Sequence, residues 1–253
     1  MIRDTKLKVV LITGALSDIG RATAKAFAEA GYGLVINHRQ KADQTQTFAE
    51  MLTQQHGAPQ ARAIQADVRY RDELSAMFEQ SYQFFGKVDV LVNNAGVNLD
   101  RPFLEMSDEE WEMVIDTVLK GTFLCSQEFA RRYTGFGGNI INIGAVTALK
   151  GRTNGANYCS ARAGVLALTK CMALELAPRI RVNTVTPGWI DTDEVSKRYQ
   201  LDDVQIKEKI EQGIPMKRLG TPDDVAGTIL FLVSSGQYIT GQNFLVDGGI
   251  YMR

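Results

Sequence analysis

The 253-residue sequence predicts an α/β fold, a doubly wound parallel sheet with helices on both faces. Three observations predict it. Short β-branched runs alternate with longer helical patterns along nearly the whole chain. The runs are too apolar for strands with one face in water, and strands alternating with helices imply right-handed crossovers. The first run ends in a glycine-bearing turn that opens directly into a segment of helix composition.

That first strand is "KVVLITG", followed by "TGALSDIG" and the helical "RATAKAFAEAG". Strand, turn and helix in this order make a cradle for a dinucleotide pyrophosphate, because free backbone N–H groups and the helix dipole favour negative charge there. "GLVINH" and "ARAIQAD" read as the next two strands. In "DELSAMFEQSYQFFG" the residues Leu74, Met77, Phe78 and Tyr82 recur at helical spacing. "VDVLVNNAG", "NIINIGA", "RVNTVTPG" and "NFLVDGG" supply four further strands. No linker, repeat or low-complexity tract divides the chain, so residues 1–253 form a single Rossmann-type domain. The rhythm breaks only between Trp189 and Gly220, in the charged helical stretch "DTDEVSKRYQLDDVQIKEKIEQG". An insertion at about 189–220, at the carboxyl edge of the sheet, is placed to act as a lid; a solvated helix pair is the alternative.

Composition narrows the function. Lys and Arg number 28 against 29 Asp and Glu, with no long block of either sign, which points away from nucleic acid and from anionic membranes. Cys125, Cys159 and Cys171 are odd in number and contain no Cys-x-x-Cys pair, which fits packing residues in a reducing cytosol. His38 and His56 are too few for a histidine-based metal site or triad. The opening "MIRDTKLKVVLITG" has too short an apolar run for a signal segment or a membrane span, so a cytoplasmic protein is expected.

"TGxxxxIG", "NNAG", the Tyr in "YCSARAG", "PGWIDT" and the terminal "VDGG" occur in this order over nearly the whole chain. Together they resemble the short-chain dehydrogenase/reductase family, and within it the 3-oxoacyl-acyl-carrier-protein reductases, which reduce a β-keto thioester with NADPH. The resemblance implies NADP(H) as cofactor. It implies cofactor contacts from Gly14, Asp18, Ile19 and Gly20 in the first turn, and from Ile190 and Thr192 in "PGWIDT". Asn93 to Gly96, including Asn94, would lie near the adenosine ribose, or the asparagines would simply stabilise the strand end. Asp67 and Val68 match a pair that flanks adenine, with capping of the next helix as the other use of Asp67. NAD-preferring relatives carry an acid where this chain has His38, followed by Arg39. A guanidinium pairs bidentately with a 2′-phosphate, so Arg39 favours NADP; an ordinary surface charge is the alternative.

The catalytic pattern of the family is altered. There, a Tyr delivers the proton, a Lys four residues later assists it, a Ser orients the carbonyl and an Asn supports a water relay. Tyr158 is present, but one turn on stands Arg162, which keeps the positive charge in a larger planar head. The serine position is Ala145, with Thr147 the nearest hydroxyl. The asparagine position is Val118, or Thr117 in a register shifted by one. In the first turn, Asp18 replaces a glycine and adds a charge facing the phosphates. It is expected to cap the helix beginning near Ile19, taking the phosphate's place; the other option is an outward-turned Asp that leaves the site open.

These departures lead to the expectation of a catalytically silent or severely impaired homologue acting as a partner or structural subunit of a ketoacyl reductase-type assembly. Dinucleotide binding would be weak or absent because of Asp18. The alternative is an active NADPH-dependent 3-ketoacyl reductase using Tyr158 and Arg162. A homo-oligomer, or a hetero-oligomer with an active short-chain reductase, is expected through the long helices and the "VDGG" region, with acyl carrier protein as a further candidate partner.

Overall fold

Every predicted strand is present in the computed structural model, which describes residues 7–252; the charged opening residues 1–6 lie outside them. The strands are β1 (Val9–Ile12), β2 (Gly33–His38), β3 (Ala61–Gln65), β4 (Val90–Asn93), β5 (Gly138–Ile143), β6 (Ile180–Pro187) and β7 (Asn243–Val246). They form one parallel sheet in the order β3-β2-β1-β4-β5-β6-β7. The chain winds outward first to one side of β1 and then to the other. The loops beyond β1 and β4 therefore diverge, which opens a crevice at their carboxyl ends.

Alternation along β1 explains the two cores. Val10 and Ile12 point to one face, where Phe27, Phe48, Leu52, Ile229 and Leu232 are buried. Val9 and Leu11 point to the other, against Leu74, Met77, Phe78 and Phe129. The first face is covered by α1 (Asp18–Glu29), α2 (Ala42–Gln55) and α10 (Pro222–Ser234). The second is covered by α3 (Arg71–Phe85), α5 (Gly121–Arg132) and α7 (Ala156–Leu176), with α4 (Asp108–Ile115) leading into α5. A one-turn helix, α6 (Thr147–Lys150), follows β5.

A buried polar chain pins the register at the centre. Asn93 Nδ2 donates to Asn142 Oδ1 (2.9 Å), Asn142 Nδ2 donates to Thr169 Oγ1 (2.8 Å), and Thr169 Oγ1 is 2.8 Å from Thr184 Oγ1. Asn93, Asn142 and Thr184 are register partners across β4, β5 and β6, so a slip by one residue would strand each of these groups in an apolar core. Thr169 belongs to α7, so the same chain fixes that helix on the sheet.

The stretch from 189 to 220 holds two helices, α8 (Asp193–Tyr199) and α9 (Val204–Gln212). They enclose a small core of Leu201, Ile214 and Leu219, against which Trp189, Val195 and Tyr199 pack. Its neck is closed by Gly220 N–H to Trp189 O and Asp191 N–H to Gly220 O, both 2.8 Å. Among the described residues no helix is long and apolar enough to cross a membrane.

Candidate nucleotide and carbonyl site

The turn after β1 is built on glycine for steric reasons. Gly14 has φ +59°, and a Cβ there would stand 2.8 Å from Ala95 Cα. At Gly20 a Cβ would stand 2.7 Å from Gly14 O, so α1 starts flush against the turn. Asn94 Nδ2 donates to Thr13 O (2.9 Å), Gly14 O (2.8 Å) and Ser17 Oγ (3.1 Å). Thr13 Oγ1 accepts from Asn94 N–H (3.1 Å) and Ala95 N–H (3.0 Å). The asparagine thus ties the strand end to the turn.

The cap of α1 differs from the expectation. Ser17 is the N-cap, with φ −68° and ψ 160°, and its hydroxyl accepts from Gly20 N–H at 3.2 Å. Capping needs extended dihedrals, and Asp18 is already inside the helix, so its carboxylate does not take up the first-turn N–H groups. Instead Asp18 Oδ2 accepts from Asp193 N–H at 2.8 Å, joining the start of α1 to the start of α8 across the crevice. The N–H groups of Asp18 and Ile19 find no chain partner among the described residues. On the facing side Thr192 caps α8, its Oγ1 accepting from Val195 N–H at 3.2 Å, and Ile190 is buried.

At the end of β2, Arg39 is exposed and His38 is buried with Nδ1 unpartnered; burial holds the imidazole below its ordinary pKa. Asp67 does not cap α3, whose N-cap position is Tyr70. Its carboxylate takes a bidentate pair from Arg69 at 2.6 to 3.1 Å. Burial pushes that carboxyl upward, but hydrogen bonds and charge from Arg69, with Arg39 beyond, hold it below the usual range. Val68 is buried, and a Cβ on Gly121 would stand 2.8 Å from its Cγ2.

Tyr158 lies in the first turn of α7 and Arg162 one turn on, its Cζ 5.2 Å from the Tyr158 ring centre. Arg162 is 5% exposed, donates from Nη1 to Ile143 O at 2.5 Å and leaves Nε unpartnered. A Cβ on Gly96 would stand 2.7 Å from its Nη2, so this glycine makes room for the guanidinium. Ala145 is buried just past β5, and Thr147 opens α6 with its Oγ1 buried and unpartnered. Val118 sits in a π-helical turn, Asp116–Lys120, between α4 and α5. It is 0% exposed, in an apolar cluster with Val114, Ala161 and Val165, at whose edge Tyr158 packs. Thr117 next to it donates to Met113 O at 2.7 Å. Neither register places an amide beside Tyr158.

Sequence reasoning missed Arg152, whose Cζ stands 5.2 Å from the Tyr158 ring centre, so two guanidinium groups contact one phenol ring. No local pattern marks Arg152, because its partners come from other loops.

A family profile described as enoyl-(acyl carrier protein) reductase matches residues 14–251, starting at the glycine of the first turn. The chain belongs to the short-chain dehydrogenase/reductase family. Within this family it is 40% identical over 248 residues to the 3-oxoacyl-[acyl-carrier-protein] reductase FabG of Staphylococcus epidermidis, covering 97% of this chain and 99% of that one. It is 41% identical over 249 residues to the 3-oxoacyl-[acyl-carrier-protein] reductase of Synechocystis, with 97% of each covered. Among solved structures, a short-chain dehydrogenase/reductase from Brucella melitensis, described as glucose/ribitol dehydrogenase, superposes with a TM-score of 0.89 at 31% identity and 97% coverage of both chains. A short-chain dehydrogenase from Bacillus anthracis gives 0.85 at 37% identity, again with 97% of each covered. The resemblance of this short-chain dehydrogenase/reductase to the 3-oxoacyl-acyl-carrier-protein reductases thus extends over nearly the full chain.

Proposed function

We propose that this chain is a severely impaired or silent counterpart of the 3-oxoacyl-acyl-carrier-protein reductases, kept as a partner or structural subunit of a reductase-type assembly. The observation that carries this reading is the fully buried apolar cluster around Val118, at whose edge Tyr158 packs; the buried methyl of Ala145, where the resemblance calls for a serine, supports it. Ketone reduction needs a hydride donor, a proton donor and hydrogen bonds to the charge growing on oxygen. Tyr158 can supply the proton, but loss of one donor to that oxygen lowers turnover by about 10² to 10³.

NADP(H) is the cofactor these residues would hold, and hydride is what it supplies when bound. Arg39 suits the 2′-phosphate, Asp67 and Val68 the adenine, and the N–H groups of Asp18 and Ile19 the pyrophosphate. Asp18 opposes this fit. Like charges about 4 Å apart cost about 4 kcal/mol at an effective dielectric near 20, roughly three decades of affinity. The carboxylate has its own partner in Asp193 N–H, so closing the crevice does not require a bound phosphate. Assembly, homomeric or with an active short-chain reductase, would use apolar groups on the long helices and near the C-terminus. Phe123, Leu174 and Leu245 are exposed there. Acyl carrier protein is a further candidate partner, and a cytoplasmic setting fits the free cysteines.

A second reading, an active NADPH-dependent 3-ketoacyl reductase using Tyr158 and Arg162, is favoured by the Arg162 head held against the Tyr158 ring and by the unpartnered Thr147 hydroxyl. Steady-state NADPH oxidation with a β-keto thioester separates the two. Turnover well below about 1 s⁻¹ is expected, and a rate at or above it overturns the first reading in favour of the second.

A further inference from the structure

Helix α8 is held over the crevice by charged contacts that converge on Arg152. Its guanidinium donates through Nη2 to Asn98 Oδ1 (2.6 Å) and to Asp100, and through Nη1 to the Tyr199 hydroxyl of α8 (3.2 Å). The other oxygen of Asp100 pairs with Arg198 of α8, so one carboxylate is shared by two arginines, one from each side of the crevice mouth. Arg198 also donates to Glu194 Oε1 (2.6 Å), which accepts from Asn98 Nδ2 (3.3 Å).

The two sides of this clasp are built differently. Residues 98–101 and the turn before α7 are tied together by Arg101 N–H to Asn154 O (2.9 Å) and by Asn157 Nδ2 to Leu99 O (2.9 Å). They form a fixed rim. Helix α8 reaches that rim through the side-chain contacts of Glu194, Arg198 and Tyr199, and reaches α1 through the Asp18 bond. Its apolar contacts lie within its own small cluster, so it can lift away without opening the main core.

Arg152 lies on the Tyr158 ring while it makes these bonds, so closure and the phenol share one side chain. Its seat is specific. A Cβ on Gly155 would stand 2.5 Å from Arg152 Nε and 2.8 Å from its Cγ, so only glycine there lets the side chain fold back over the ring.

We propose that Arg152 is a positioning residue that latches α8 over Tyr158 through Asp100 and Tyr199, so that a ligand reaches the phenol only when this clasp opens. Asp100 is the shared counter-ion of the latch, and Gly155 leaves the space in which the Arg152 side chain sits. The device operates whether or not the site turns over, so its test does not depend on the activity of the protein.

The test is hydrogen exchange of the α8 amides 196–199 against those of α10, with Trp189 emission as a second signal in a Trp111→Phe background. Trp189 packs edge-on against Tyr199 with ring centres 4.5 Å apart, so lifting α8 changes its surroundings. Gly155→Ala displaces Arg152 with its charge intact, Asp100→Asn removes the shared carboxylate, and Arg152→Lys keeps charge without the fork. Loss of charged hydrogen bonds of this kind is expected to speed α8 exchange about tenfold or more in the first two variants, and less in the third. Trp189 emission is expected to shift in parallel, while α10 stays unchanged. Raising ionic strength to about 1 M, where the screening length is about 3 Å, is expected to act in the same direction on the parent. Exchange of α8 within about twofold of the parent in both Gly155→Ala and Asp100→Asn overturns the proposal, and so does acceleration shared equally by α10.

Discussion

At position 18 a carboxylate stands at the first residue of α1, beside a turn that has the close glycine contacts of a phosphate cradle. Replacing Asp18 by Gly removes the charge and frees Asp193 N–H, so the Kd for NADPH is expected to fall by roughly two to three decades. Isothermal calorimetry checks this, and an unchanged Kd would show that the carboxylate does not compete with phosphate. Turnover is a separate matter. Ala145→Ser combined with Arg162→Lys and Val118→Asn is expected to raise the rate of NADPH oxidation with a β-keto thioester by about 10² or more. No rise would show that these three positions do not limit turnover. Positions 158, 162, 145 and 118 were singled out by setting the sequence against the family pattern, and the structure places Tyr158 and Arg162 one turn apart on α7. The cap was not: Ser17 and Asp18 are both good capping types, and only the dihedral angles of Ser17 decide between them.

The element that carries Val118 shows why an amide at this position would have a structural cost. The π-helical turn places this side chain fully inside an apolar cluster with Val114, Ala161 and Val165. Val118→Asn alone is therefore expected to destabilise the fold by about 1–3 kcal/mol, read as a lower midpoint in urea. Helix α10 gives a pH-dependent case. Asp224 forms a capping box with Thr221 and pairs with Arg218 at 2.8 Å. Hydrogen bonds from Arg218, then from the Thr221 backbone, hold its carboxyl far below the usual range. In the unfolded chain that group binds its proton near pH 3.9, so its stabilisation is present above about that value and is lost as pH falls further. Asp224→Ala is expected to cost about 1 kcal/mol at neutral pH and to flatten the acid limb, measured by urea unfolding from about pH 7 to about pH 3. Helix and strand identity was legible here because hydrophobic period is a local property. The π turn was not, since it depends on how α4 and α5 meet α7 and leaves no mark on the apolar pattern.

For the molecule as a whole, the proposed subunit role rests on surfaces remote from the crevice. Leu174, 85% exposed on α7, is an apolar side chain that an interface would cover. Leu174→Glu is expected to shift the protein to smaller species in light scattering with an unchanged circular dichroism spectrum. A parent chain that is monomeric and does not co-purify with an active relative removes the partner role. The sequence by itself determined the seven strands and the single layered domain, because β-branched runs alternating with helical spacing are written locally along the chain. The tertiary structure alone decided that Asp18 meets Asp193, 175 residues away, that Asp100 is shared by Arg152 and Arg198, and that Arg152 lies against the Tyr158 ring. Periodicity specifies which face of an element is buried. Which loops meet at the end of the sheet follows from strand order, and only then do charges distant in sequence come within bonding range.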